Sequence, residues 1–270
     1  MICSGLINVF LRKKVRKVTR NLIIVVILTV ALCFCVFAPA VSAEKESVSS
    51  TVDSVNLTEN KWVYSVYINK SGSRYAAVTR YDGDEIDIVI PENLGGIPVK
   101  TISREAFCGG KYITSVTIPD GVTEVGKYAF SGCVGLRSVK FPATLRSVGE
   151  GAFYGCISLT EAVFPEGTVK IDSFSFYNCL HLRTAAFPST LRSIGDSSFE
   201  NCGMLERVSF GKELEKIGDT AFKGCTALDS VDISGVSELG VGAFLNCHSL
   251  KSITLGDNIA DIRPETFRGC

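Results

Sequence analysis

A phenylalanine recurs at a nearly constant interval over the C-terminal two-thirds of the chain, in steps of 23 residues with a single step of 22. It lies at Phe107, Phe130, Phe153, Phe176, Phe199, Phe222, Phe244 and Phe267. A period of this length is typical of solenoids, in which each unit buries its apolar face only against its neighbours. We therefore expect stacked coils, with equivalent residues aligned in columns.

Other apolar residues keep fixed offsets from this phenylalanine. A cysteine follows three residues later at Cys133, Cys156, Cys179, Cys202, Cys225, Cys247 and Cys270, and the first unit has Gly110 in that place. A leucine or isoleucine comes three residues after that, and a Val, Ile or Leu stands five residues before each repeated phenylalanine after the first. Each of these positions predicts one buried column.

One stretch of every unit has the alternation of a β-strand. In LRSVKFP, Val139 and Phe141 alternate with Ser138 and Lys140, so the two pairs point to opposite sides. Pro142 cannot donate to a strand ladder and should end the strand. Glycines in the return segment mark a turn at Gly126, Gly149, Gly195, Gly218 and Gly240. Asp172 and Arg263 replace glycine in two units, where we expect local distortion or a milder dihedral.

The recurring unit resembles the BspA-like leucine-rich repeat. The shared pattern is A-F-x-x-C-x-x-L-x-x-V-x-[IF]-P-x-x-[LV]-x-x-[IV]-G, and the resemblance covers residues 86–270, including an irregular opening unit, IDIVIPENLGGIPVKTISREAF. It implies a leucine-rich-repeat solenoid with a parallel β-sheet on one face and short helical or irregular segments on the other. It also implies a secreted or surface-attached bacterial protein that adheres to host or matrix proteins or to other bacteria.

Residues 1–43 have the composition of a targeting segment. A stretch that contains six basic and no acidic residues precedes the apolar run LIIVVILTVALCFCVFA at 22–38, and small residues lie at Val41-Ser42-Ala43. This pattern predicts a secretory signal peptide cleaved after Ala43. An uncleaved membrane anchor is the alternative, because the run is only a little shorter than the about 20 residues that span a bilayer.

The segment before the repeats divides into a leader and a cap. Residues 44–61 are polar and predict a flexible leader. WVYSVYI at 62–68 and RYAAVTRY at 74–81 flank the turn composition NKSGS and predict a β-hairpin. We expect residues 62–85 to cap the first coil, with Trp62 and tyrosines over it. The chain stops just after a repeat motif, which favours a truncated solenoid over a last coil covered by a partner.

The cysteine column has three interpretations: metal ligands, disulfide halves or small buried apolar residues. Zinc ligands converge on one point, often from paired cysteines, whereas this column supplies one cysteine per coil. Neighbouring coils about 4.8 Å apart would admit a disulfide, but the side chains would point the same way. The spacing favours buried thiols, eight reactive ones in residues 44–270, although secreted proteins often carry disulfides.

No residue pattern typical of catalysis stands outside the repeat. The two histidines, His181 and His248, fall in variable stretches of different coils and are expected to be exposed. Residues 44–270 carry 22 basic and 28 acidic residues, a formal charge of −6, which is unfavourable for nucleic acid. We assign no catalytic residue, cofactor or metal, do not expect an enzyme, and expect membrane contact only through an uncleaved N-terminal segment.

The outward positions of the predicted strands are the candidate binding surface. They are Ser115, Thr117, Ser138, Lys140, Glu161, Thr184, Arg207, Ser209, Ser230, Asp232, Ser252 and Thr254, together with Val163 and Ala186. Solenoids commonly bind partners through such a regular surface, although a merely solvated sheet would tolerate the same serines and threonines. The favoured function is a secreted or cell-surface module that binds a protein of the host, the matrix or another cell. The alternatives are a structural spacer for a domain beyond residue 270, or the repeat region of a surface enzyme whose catalytic domain is absent here.

Overall fold

The computed structural model describes residues 51–270. The predicted signal peptide or anchor lies outside the described residues. Within them the chain forms a β-solenoid of about eight turns without a helix, so the predicted solenoid is confirmed.

An antiparallel three-stranded unit precedes the coils. It consists of β1 (Thr51–Glu59), β2 (Trp62–Ile68) and β3 (Arg74–Tyr81). The predicted hairpin is β2–β3, paired from Trp62↔Tyr81 to Ile68↔Arg74. Strand β1 lies within the segment that was expected to be a flexible leader. Its residues form a strand because their backbone pairs with the outer edge of β2.

The opening unit joins this cap to the solenoid through three strands, β4 (Asp87–Val89), β5 (Asn93–Leu94) and β6 (Ile97–Ile102). Strand β3 pairs in parallel with β6, so the hairpin continues directly into the first coil. Trp62 and Tyr81 then cover Phe107, with ring centroids 6.2 and 6.1 Å from it. These rings therefore lie over the first ring of the phenylalanine column.

The predicted alternating segments form short parallel strands on one side of the coils. They are β7 (Ser115–Thr117), β9 (Ser138–Lys140), β11 (Glu161–Val163), β13 (Thr184–Ala186), β15 (Arg207–Ser209), β17 (Ser230–Ile233) and β19 (Ser252–Leu255). They pair in two runs, β4-β7-β9 and β11-β13-β15-β17-β19, rather than in one unbroken sheet.

The sequence did not predict a second parallel sheet. Each coil contributes one short strand to it, just before the repeated phenylalanine. Its two-residue strands are β8 (Glu124–Val125), β10 (Ser147–Val148), β12 (Lys170–Ile171), β14 (Ser193–Ile194), β16 (Lys216–Ile217) and β18 (Glu238–Leu239). Together with β1, β2, β3 and β6 they form one continuous sheet, in which β5 also pairs with β6. Strands of two residues leave almost no alternation to detect in a sequence.

The return segments are irregular turns, and each contains two residues in the left-handed region. In the second coil these are Tyr128 (φ 55°) and Gly132 (φ 71°). The Tyr128 N–H donates to Glu150 O at 2.8 Å, and the Gly132 N–H donates to Tyr154 O at 2.7 Å. Because alternate N–H groups bond to the next coil, this side is as well connected as a sheet.

The core is built from two columns of stacked rings. Adjacent rings of the main phenylalanine column lie 4.8 to 5.9 Å apart. A second column is formed by Phe141, Phe164, Phe187 and Phe210, in which the first three rings stack and Phe210 is tilted by 36° against Phe187. Phe164 meets Phe176 edge to face at 84°, a favoured aromatic geometry.

The glycines that follow the strands of the second sheet lie close to the backbone of the preceding coil and are not in the left-handed region. A Cβ on Gly149 would lie 2.8 Å from Val125 O of the preceding coil. The expected distortion at Asp172 is not seen in the ladder, because the Asp172 N–H donates to Val148 O at 2.9 Å, much as Gly149 donates to Val125 O at 2.8 Å.

Candidate functional site

The cysteine column lies inside the solenoid as free thiols, buried from Cys133 to Cys247, with Cys270 exposed. Cys108, which precedes the column, is disulfide-bonded, so the expectation of eight reactive thiols was wrong, and the described residues hold seven. Each thiol donates to the carbonyl of the phenylalanine one coil earlier, for example from Cys156 Sγ to Phe130 O at 3.2 Å. Burial raises the pKa of Cys133 to about 12 and that of Cys156 well above its usual value. Such thiols are not nucleophiles at neutral pH.

The residues that could have supported chemistry are kept apart. Within residues 51–270, no three His, Cys, Asp or Glu side chains are grouped to hold a metal ion. His181 and His248 are exposed. Their Nδ1 atoms bond to carbonyl oxygens of neighbouring coils, Ile157 O at 2.6 Å and Gly269 O at 2.7 Å. The two histidines therefore serve local turns and do not form a pair.

The predicted binding residues lie together on what we call the ladder face, the outward surface of β4, β7, β9, β11, β13, β15, β17 and β19. Strand pairing in register places them in two rows along the solenoid. The first row is Ser115, Ser138, Glu161, Thr184, Arg207, Ser230 and Ser252, and the second is Thr117, Lys140, Val163, Ala186, Ser209, Asp232 and Thr254.

These rows are accessible and stand on a buried layer. Ser115 and Thr117 are half-buried, and the other twelve side chains are exposed. Between the rows the inward residues Ala162, Ala185 and Val208 are buried. The alternation of each strand therefore divides the residues that build the core from those that are exposed.

Most charges of the ladder face are free to engage a partner. Within the described part of the chain, Lys140, Glu161 and Arg207 form no ion pair or side-chain hydrogen bond. The carboxylate of Asp232 accepts the Ser234 N–H at 2.9 Å, and this bond lowers its pKa, so it is ionised at neutral pH. The face thus presents both signs of charge among hydroxyls, with the apolar Val163 and Ala186 side by side near its centre.

Two members of the rows were missed by the sequence reasoning. Asp87 pairs with Ser115 and Val89 with Thr117, so β4 extends both rows towards the cap. Asp87 Oδ1 accepts the hydroxyls of Ser115 at 2.6 Å and Thr114 at 2.7 Å. The signal was present in the alternation IDIVIP of the opening unit, which lacks the regular spacing of the later repeats.

An aromatic cluster on the return side was also missed. The rings of Tyr154 and Tyr177 stack at 4.9 Å, and Phe174 lies 6.0 Å from Tyr177 with 38% of its surface exposed. The pKa values of both tyrosines are raised, mainly by burial and further by nearby charge, including the Glu200 carboxylate. Two tyrosines at the same offset of neighbouring repeats were the available sequence signal.

Short parallel strands in register, a buried phenylalanine column and a polar outward face define a leucine-rich-repeat solenoid. The family model of the BspA type leucine-rich repeat region matches residues 100–179 and 147–270, with six copies. Because these matches cover more than half of the chain, the chain belongs to this family, and the predicted resemblance is confirmed. No curated protein sequence matches the chain.

Solved structures of bacterial leucine-rich repeat proteins share this fold. A leucine-rich repeat protein from T. pallidum is 28% identical with a TM-score of 0.66, over 73% of this chain and 91% of that one. A leucine-rich cell surface protein from Faecalibacterium prausnitzii A2-165 is 34% identical with a TM-score of 0.65, over 73% of this chain and 53% of that one. The present chain thus spans about half the length of the F. prausnitzii protein.

In residues 51–270 there is no helix with the length and apolar character that crossing a bilayer requires.

Proposed function

We propose that the chain is a non-enzymatic module, secreted or displayed on a bacterial cell surface, that binds a protein of the host, the matrix or another cell through the ladder face. The observation that carries this proposal is the set of two exposed rows in register. Lys140, Glu161 and Arg207 in these rows have no partner within the described residues.

The chemistry of the rows favours a protein over a small molecule as the partner. The face is long and regular, and its hydroxyls and few charges are spread over many coils instead of converging in one pocket. Val163, which is 58% exposed, and Ala186 give it an apolar centre with a polar surround. A partly apolar centre inside a polar rim is the usual anatomy of a protein interface.

The extracellular location rests on two supports. The N-terminal pattern predicts a signal peptide or anchor, and the similar F. prausnitzii protein is described as a cell surface protein. Immunolabelling of intact and permeabilised cells that express the full chain tests the location. Labelling of permeabilised cells alone would contradict it.

The binding proposal is tested by replacing Glu161, Arg207 and Asp232 together with alanine. We expect affinity for immobilised matrix proteins or host cells to fall about tenfold or more, because charged groups at an interface contribute to both encounter and affinity. Unfolding by urea should change little, since all three side chains are exposed and the one hydrogen bond lost is that of Asp232 with the Ser234 N–H.

A matched variant replaces Glu213, Lys216 and Asp257, which carry the same charges outside the ladder face. This variant should bind like the unmodified chain. Equal binding by the unmodified chain and the Glu161, Arg207 and Asp232 variant would move the site to the return side or to the hairpin.

A further inference from the structure

Strand β4 is the terminal strand of its sheet. Its residues pair in parallel with β7, and within residues 51–270 no strand pairs with its other edge. An exposed edge carries N–H and C=O groups that are able to pair with another extended chain. The cap does not cover this edge with a strand, because β3 continues into β6 of the second sheet.

The hydrogen bonds of the ladder show which peptide groups face outward. Ile86 O accepts the Thr114 N–H at 2.6 Å, and the Ile90 N–H donates to Thr117 O at 3.0 Å. In a parallel ladder, alternate residues direct both backbone groups to the same neighbour. Ile86, Ile88 and Ile90 therefore face β7, and the N–H and C=O groups of Asp87 and Val89 face the open edge.

A cleft of about 300 Å³ lies along this edge. One wall is the base of the hairpin, including Trp62 and Tyr81, and the other is β4 itself. The Trp62 and Tyr81 rings pack 4.5 Å apart and form an aromatic wall. Val89, on the opposite wall, is 70% exposed. The cleft thus places apolar surface beside unpaired backbone groups.

The charge around the cleft is negative. Glu85 accepts Lys61 Nζ at 2.6 Å and the Tyr81 hydroxyl, and Asp84 accepts the same lysine at 3.0 Å. Among residues 51–270, the partners of Asp87 are the hydroxyls of Ser115 and Thr114, which lower its pKa and keep it ionised. Three carboxylates against one lysine favour a cationic ligand, and an aromatic wall adds a favourable surface for a cation.

We propose that this edge and cleft bind an extended peptide segment of a partner protein in which apolar and basic residues alternate. The peptide pairs with the Asp87 and Val89 backbone as an added strand. The basic side chains of the added strand take the ladder face, where their charges meet Asp87 and their aliphatic stems pack on Val89. The apolar side chains turn to the opposite face of the strand, towards Ile88 in the cleft. This site is separate from the charged rows of β9 to β17 and does not depend on them.

Trp62 makes the proposal directly testable, because it is the single tryptophan of the chain and lines the cleft. The probe is a short blocked peptide of alternating lysine and valine, titrated into the full chain. We expect a saturable change in tryptophan emission. The same peptide with glutamate in place of lysine, or with N-methylated alternate amides, should give none. No saturable change with the lysine peptide would overturn the proposal.

Variants at Val89 separate backbone pairing from general attraction. Val89→Pro removes the outward N–H but keeps the bonds to β7, since proline is tolerated on an edge strand. We expect peptide affinity to fall about five- to tenfold. Val89→Ala keeps the N–H and should lose less. Equal affinity of the proline variant and the unmodified chain would contradict strand addition.

Two further variants keep the test decisive. Asp87→Asn preserves the hydrogen bonds to the Ser115 and Thr114 hydroxyls and removes the charge, so it should weaken the lysine peptide about fivefold or more. Full affinity in this variant would overturn the charge selection. The ladder-face variant at Glu161, Arg207 and Asp232 should bind the peptide normally, so this proposal and the proposed function fail independently.

Discussion

Cysteine satisfies two requirements at its position in each coil. The side chain must be small and apolar, because Cys156, Cys179 and Cys202 are fully buried. It also donates a weak hydrogen bond to a phenylalanine carbonyl of the preceding coil, at 3.2 to 3.3 Å. Alanine would lose the donor, and serine would bring a more polar group into an apolar site. The column is thus a structural ladder.

Burial of these thiols predicts that the protein loses stability in alkali. Burial raises the pKa of Cys133 and Cys247 to about 12 and shifts the other buried thiols upward. Unfolded cysteine titrates near about 8.5. Below that pH the thiols are protonated in both states. Above it only the unfolded chain releases protons, so the free energy of unfolding should fall by up to about 1.4 kcal/mol per pH unit for each thiol.

Urea unfolding between about pH 7.5 and 10 measures this effect. The variant Cys179→Ala should show a shallower pH dependence, because it lacks one buried thiol, even if it is less stable at neutral pH. Identical slopes for the variant and the unmodified chain would show that the column does not contribute.

The buried thiols could be predicted from spacing alone, whereas their acceptor could not. A residue that recurs once per coil must form a column, and parallel neighbours do not suit a disulfide. The thiol hydrogen bond depends on how far one coil is shifted along the next. Nothing within a single repeat encodes that shift in a recognisable form.

At the scale of the element, two kinds of glycine hold the return segments. Gly155 has φ 69° and open space around it, and asparagine takes the equivalent places at Asn178 and Asn201 with φ 58° and 62°. Gly149 instead lies against the backbone of the coil before it. The first kind provides a backbone conformation, and the second provides room for close packing of coils.

These two roles predict opposite tolerance to substitution. Gly155→Asn should change the free energy of unfolding little, because asparagine adopts the left-handed region readily. Gly149→Ala should cost about 1–3 kcal/mol, because the added methyl overpacks the contact with Val125 O. Thermal or urea unfolding of both variants provides the comparison. A greater loss for Gly155→Asn than for Gly149→Ala would reverse the assignment.

The alternating strands of three or four residues were predictable, and the two-residue strands of the second sheet were not. In β9 the pattern Ser138-Val139-Lys140 has a clear period of two. The strands of the second sheet, such as Lys170–Ile171, have only two residues each. Strand β1 was missed for another reason: its sequence is polar and mostly exposed, and it is held by backbone pairing with β2.

At the scale of the whole molecule, each coil is stabilised by its two neighbours. Phe176 is fully buried between Phe153 at 5.1 Å and Phe199 at 5.2 Å. Phe267 is half-buried and, among the described residues, stacks on Phe244 alone, at 5.9 Å. In a solenoid, stability is close to a sum of repeat and nearest-neighbour contributions. Equivalent residues in different coils should therefore differ in importance.

Truncation of these two rings tests that expectation. Phe176→Ala should cost about 3–5 kcal/mol, as for other buried aromatic residues. Phe267→Ala should cost clearly less, because it removes one stacking contact from a partly exposed coil. Urea denaturation followed by circular dichroism measures both. A loss below about 1 kcal/mol for Phe176→Ala would mean that the column is not the core.

The candidate site was predictable where it follows the repeat. Two periods together give the two rows: side chains alternate along each strand with a period of two, and the strand recurs about every 23 residues. Lys140, Glu161 and Arg207 could therefore be named in advance. The cleft beside β4 could not, because it depends on where the hairpin meets the first coil. That junction occurs once, so no periodic pattern reports it.

The regular stacking of coils also fixes the distances between the outward residues of the ladder face. Strands in register are separated by about 4.8 Å, so the backbones of Glu161 and Arg207, two strands apart in one row, lie about 10 Å apart by the same spacing. Exchanging an outward residue changes the side chain at one fixed position and leaves the spacing between coils unchanged. Under the proposed function, binding of a new partner would therefore require new outward side chains only, because the buried columns that hold the coils together stay the same.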